Sequence, residues 1–155
     1  MGSCCCCSLT FASQAFSIFG LLGFVGSTSW GIVSLIYGDY EDYGAEYEDA
    51  FLAMDCASLA MAITGIIIYY HLVNGVFNRR ANYIMPTLIF EPPSIIFYLS
   101  IPIAKAMILG FEEYWIASLF VTVCTTVTIL LRILFWMVIY SYRKQIISDN
   151  KTGNL

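Results

Sequence analysis

Residues 2–38 read GSCCCCSLTFASQAFSIFGLLGFVGSTSWGIVSLIYG, a run without one charged side chain. About 20 apolar residues suffice for a helix to cross the hydrocarbon core of a bilayer. This run therefore fixes the solvent in which the chain folds. Placing the first span at about 11–37, three further apolar runs follow at about 51–77, 84–110 and 114–142. Together they predict an all-α membrane protein, a bundle of four transmembrane helices. Four spans in 155 residues leave no room for a water-soluble domain, so one membrane domain over 1–155 is expected, ending in a short tail at 143–155. Composition agrees: 59% of residues are hydrophobic and 12% charged, and the mean hydropathy is +0.77, far from the balance of an ordinary globular domain.

The few charges are separated along the chain. Six of the eleven acids, Asp39, Glu41, Asp42, Glu46, Glu48 and Asp49, fall in one loop after the first span. Arg79 and Arg80 lie between spans two and three, and Arg143, Lys144 and Lys151 follow span four. In an even-span topology these two basic sites share a side, and basic loops stay cytoplasmic. Both termini are thus expected inside and the acidic loop outside. The first span lacks a basic leader and is longer than a signal-peptide core, so it reads as an uncleaved anchor. Tyr37, Tyr69, Tyr70, Tyr83, Tyr114, Tyr140 and Tyr142 fall near span ends, where an aromatic belt is expected.

Within the first span Gly20, Gly23 and Gly26 recur every three residues. Small residues on one face allow a second helix to approach closely in lipid. They form either a seam for a homo-oligomer or a packing face within the protein's own bundle, and the second is the expectation. Ahead of that span, Cys4, Cys5, Cys6 and Cys7 are consecutive. Adjacent cysteines do not match the paired spacing of a structural zinc site, and in the cytosol they stay reduced. A juxtamembrane cluster suits reversible S-palmitoylation, the expectation here. Gly2 resembles a myristoylation start, but Cys6 stands where Ser or Thr is required. Cys56 and Cys124 lie inside spans and read as small buried hydrophobes.

Four ionisable residues sit at membrane depth: Asp55, Glu91, Lys105 and Arg132. Such groups are costly and face a partner or a cavity. At 1.5 Å per residue, Glu91 lies roughly 10 Å and Arg132 roughly 15 Å from the inner ends of their spans, which makes an ion pair between them reasonable. Asp55 and Lys105 each lie roughly 7 Å from the outer ends of spans two and three and form a second candidate pair. Lys105 has the alternative of snorkelling towards Glu112 and Glu113. Structural pairing is expected over a proton or ion pathway, because no chain of acids or histidines continues across the membrane. His71, the single histidine, reads as interfacial.

Around Glu91 the chain is unusual, with Pro86, Pro92, Pro93 and Pro102 in one span. Proline removes a backbone donor and clashes with the preceding turn. Span three is then either a kinked helix with Glu91 buried at the break, or a helix that starts at Pro92, where the missing donor matters little. The kinked helix is the expectation.

The acidic loop does not match the spacing of an EF-hand. Loose attraction of cations, sulfation of its tyrosines and contact with a neighbouring protein all fit its composition. Enzymatic readings are poor: there is no phosphate-binding glycine loop, no HExxH and no Ser/His/Asp set. No catalytic residue, metal site or cofactor is expected. Nucleic-acid binding lacks a basic patch.

The cysteine run, Trp30-Gly31 late in span one, the short first loop, Arg79-Arg80 and the Pro86–Ser94 segment together resemble the insect four-span family that includes Pasiflora. The resemblance covers about Cys4 to Lys144. It implies a septate-junction component at lateral plasma-membrane contacts, supporting a paracellular barrier beside other junctional membrane proteins. A more distant likeness is to the lysosome-associated four-span transmembrane proteins, whose long proline-rich tail with tyrosine motifs this chain lacks. The large first loop and cysteine pair of claudins are also missing. The alternative function is a small transporter or an endolysosomal transport accessory using Glu91, Lys105 and Arg132.

Overall fold

The computed structural model describes residues 3–38, 47–109 and 115–152, with side chains described for all of these but 3–8, 105–106, 108–109, 115–122 and 125. Four helices account for nearly all of it: α1 (Ser3–Tyr37), α2 (Glu48–Phe77), α3 (Ala81–Leu109) and α4 (Trp115–Thr152). Each carries an apolar segment long enough to cross a membrane, over Leu9–Tyr37, Glu48–Phe77, Ala81–Ala104 and Thr126–Thr152. The protein is an all-α four-helix bundle and an integral membrane protein. Only helices and closed barrels satisfy every backbone polar group in lipid, and no strand occurs among the described residues.

Consecutive helices pack in turn, α1 most extensively on α2, and α4 closes the ring against α1. The core lies towards the end that bears the α2–α3 turn. There Leu72 and Val76 of α2, Ile84 of α3, and Ile139, Tyr142 and Ile146 of α4 are fully buried. The last three, spaced by three and four residues, form one helical stripe. Beyond the expected end of span four the helix continues through Thr152, with Ile146 drawn into the core and Asp149 meeting Arg79 at 2.7 Å.

The α2–α3 turn is a tight helix stop. The Arg80 amide donates to the Gly75 carbonyl at 2.8 Å and the Arg79 amide to that of Val76 at 3.4 Å, the paired bonds of a Schellman motif. This geometry puts Arg79 at φ 52°, a left-handed conformation in which glycine is the usual residue. Gly75 is required for a separate reason. A methyl group there would crowd Tyr83, Ile84 and the Arg80 carbonyl, at 2.9, 3.0 and 3.2 Å.

Helix α3 runs unbroken from Ala81 through Pro86, Pro92, Pro93 and Pro102, so a start at Pro92 is excluded. Proline leaves the carbonyl four residues earlier without its helical donor. For Pro92 that carbonyl is Leu88, and the Trp136 indole of α4 donates to it at 3.0 Å. A neighbouring helix thus repairs the break, as membrane bundles require.

Candidate functional site

Thr87, Glu91, Ser94 and Tyr98 recur on α3 at offsets of 4, 7 and 11, and therefore share the face that α3 turns into the bundle. Glu91 is fully buried, as are Thr87 and Ser94. Its carboxylate meets partners from two helices. The Tyr69 hydroxyl of α2 donates to Oε1. Arg132 of α4 places Nη1 3.8 Å from Oε2 and donates to Ser94 Oγ at 3.0 Å. Ser94 Oγ in turn donates to the Glu91 carbonyl at 2.9 Å. Arg132 therefore holds Glu91 both by charge and through a hydroxyl bridge to its backbone.

Aromatic rings enclose the guanidinium. Arg132 Cζ lies 5.1 Å from the Phe24 ring centroid and 5.0 Å from that of Tyr98, within cation–π range. Phe24 lies 4.9 Å from Tyr69, whose ring stacks on Phe135 at 5.5 Å. All four helices thus contribute to one cluster: Phe24, Tyr69, Glu91 with Tyr98, and Arg132 with Phe135.

Two glycines make room for it, in a reciprocal arrangement. A methyl group at Gly20 of α1 would overlap the Tyr69 ring of α2, and one at Gly65 of α2 would overlap the Phe24 ring of α1. Gly23 and Gly26 differ, since a methyl group at either meets nothing within 4 Å. The glycine face is therefore split: Gly20 packs inside the bundle and the other two open outward.

The second expected pair is only half visible. Asp55 is nearly buried and its Oδ2 accepts from Ser34 Oγ of α1 at 3.1 Å, while the Lys105 side chain lies outside the described residues. So do Asp39, Glu41, Asp42 and Glu46 of the acidic loop, Glu112, Glu113 and the Cys4, Cys5, Cys6 and Cys7 side chains. Glu48 and Asp49 occupy the first turn of α2, where the helix dipole favours acids. Tyr37, Tyr70, Tyr83 and Tyr140 are exposed as a belt requires, but Tyr69 and Tyr142 are buried. Tyr69 turns inward to Glu91, and the Tyr142 hydroxyl donates to the Val76 carbonyl at 3.2 Å. Cys56 and Cys124 are exposed, not buried, because an apolar thiol is equally at home against lipid.

Chemically, the cluster keeps one negative and one positive charge inside an apolar bundle. Glu91 Oε2 and the Tyr98 hydroxyl are buried without a hydrogen-bond partner, so the net hold on the carboxylate is Coulombic on one oxygen and hydrogen-bonded on the other. Among the described residues no three of His, Cys, Asp or Glu gather as a metal site. No family model, curated protein or solved structure matches this chain.

Proposed function

We propose that this chain is a non-enzymatic membrane protein that organises cell junctions, a septate-junction component supporting a paracellular barrier by lateral association. The observation that carries the reading is a division of labour among the spans. Glu91 and Arg132 neutralise each other between α3 and α4, behind rings from α1 and α2. In the most apolar stretch of α1, by contrast, 6% of the residues are buried, against 22%, 28% and 17% in the corresponding stretches of the other helices. Its outward face carries Gly23 and Gly26, open to a neighbour. A closed charge cluster suits a scaffold, and an open small-residue face suits assembly in lipid.

Both termini are cytoplasmic in this reading. Arg79 meets Asp149, and Arg143 Nε donates to the Ala81 carbonyl at 3.4 Å, so the two basic sites stand at one end, as the positive-inside rule uses them. Helix α1 begins at Ser3, so under this reading Cys4–Cys7 would lie at that interface, where S-palmitoylation would add a second hold on the same leaflet. Acyl-exchange labelling that survives replacement of all four by Ser would reject it.

The decisive experiment is localisation of tagged protein in polarised epithelium, with a dye-barrier assay after depletion. Lateral junctional staining and a leaky barrier are expected. Uniform endolysosomal staining with an intact barrier would overturn the reading. The buried Oε2 of Glu91, without a hydrogen bond, favours a second reading as a transporter or transport accessory. Under that reading, neutralising Glu91 and Arg132 together abolishes solute flux in reconstituted vesicles while the protein stays folded.

A further inference from the structure

A shallow groove on the outer face of α2 and α3 is apolar along its length, with His71 and Asn82 at its mouth. His71, Asn82, Tyr83 and Pro86 line the mouth. The trough continues as a shallow, open depression from Asn82 and Pro86 past Met85 and Ile89 to Pro93. Met85 and Ile89 are exposed, so the trough opens to the surrounding lipid. From Asn82 to Pro93 the helix rises about 16 Å. That is the depth of one leaflet of a hydrocarbon core about 30 Å thick.

A positive charge stands beside the mouth. The Arg80 guanidinium stacks on Tyr83, with Cζ 5.9 Å from the ring centroid, and His71 packs on the same ring at 5.9 Å. Arg79 is neutralised by Asp149, whereas among the described residues no carboxylate pairs with Arg80, Arg143 or Lys144. Among the described residues no acid lines the groove. A cation with no counter-ion among the described residues therefore stands at headgroup level, above an apolar trough one leaflet deep.

We propose that this groove is a binding site for an anionic glycerophospholipid, its headgroup charge at Arg80 and one acyl chain in the trough. The proposal rests on membrane embedding and not on the junctional reading, so either can fail without the other. Basic pockets between helices at the membrane surface recognise anionic headgroups, each basic side chain contributing about fivefold in affinity.

The test uses full-length protein purified in detergent, offered phosphatidylserine or phosphatidylcholine, with retained lipid counted by native mass spectrometry. Phosphatidylserine should be retained several-fold over phosphatidylcholine. Arg80→Gln, at an exposed position, should lower that preference about fivefold. Ile89→Trp fills the trough and should reduce retention of both lipids. Lys151→Gln, which removes the same charge from the last turn of α4, should leave the preference unchanged. Equal retention of the two lipids, a preference that survives Arg80→Gln, retention unaffected by Ile89→Trp, or an equal loss in Lys151→Gln would each overturn the proposal.

Discussion

Breaking the Glu91–Arg132 pair from its two ends should have unequal costs. At 3.8 Å and an effective dielectric of about 20, the attraction is about 4 kcal/mol. Arg132→Met removes it and leaves a fully buried carboxylate with one donor, Tyr69; stranding a buried charge in this way costs about 3–5 kcal/mol. Glu91→Gln is milder. The amide oxygen still accepts from Tyr69, and Arg132 keeps Ser94, two rings and 20% exposure of its side chain. A loss of about 1–3 kcal/mol is expected there. The double variant has no charge to strand and should lose about 2 kcal/mol, well under the sum of the two, giving a coupling of about 2 kcal/mol or more. The assay is reversible unfolding in mixed micelles with rising SDS, followed by tryptophan fluorescence. Additive losses, or Glu91→Gln costing more than Arg132→Met, would refute the reasoning.

Three further outcomes follow from the packing and the backbone. Gly65→Ala should cost about 1–3 kcal/mol by driving Phe24 off Arg132, while Gly23→Ala, facing open space, should be neutral or slightly stabilising; the same SDS midpoints compare them. Arg79→Gly relieves a left-handed backbone worth about 1–2 kcal/mol and gives up an exposed pair worth under about 1 kcal/mol, so thermal stability should hold or rise, and Arg79→Val should lower it. Trp136→Phe leaves the Leu88 carbonyl without a donor, at about 1–3 kcal/mol. In a Pro92→Ala background, where residue 92 regains its amide, that loss should shrink; an undiminished loss would remove Trp136 from its role at the proline.

What the sequence made legible was depth, and what it hid was direction. Uncharged runs mark where a helix enters and leaves lipid, so the ends of α1 and α2 at Tyr37 and Phe77 match the expected spans. Counting residues from the inner ends of spans three and four gives Glu91 and Arg132 compatible depths. Helices that are apolar all round carry no stripe to say which side faces the bundle. Tyr69 was therefore read as belt although its hydroxyl is the carboxylate's donor, and Gly20 could not be told from Gly23. Cys56 and Cys124 misled for the same reason. The continuation of α4 was readable in one respect: Ile146, beyond the span's end at Tyr142, keeps helical spacing with Ile139 and Tyr142, and the basic pair at Arg143-Lys144 masked it.

The position of Tyr69 ahead of Glu91 in the chain also sets an order of events during synthesis. An ionised side chain within an inserting segment costs up to roughly 3 kcal/mol, the figure for its centre, and α3 adds four prolines to that burden. Arg132 emerges about 40 residues too late to help at that moment. Tyr69 has already entered, on a helix joined to α3 by a three-residue turn. The newborn third span thus meets a waiting hydroxyl before it meets its counter-ion, and α2 acts as an internal escort for the most reluctant segment of the protein.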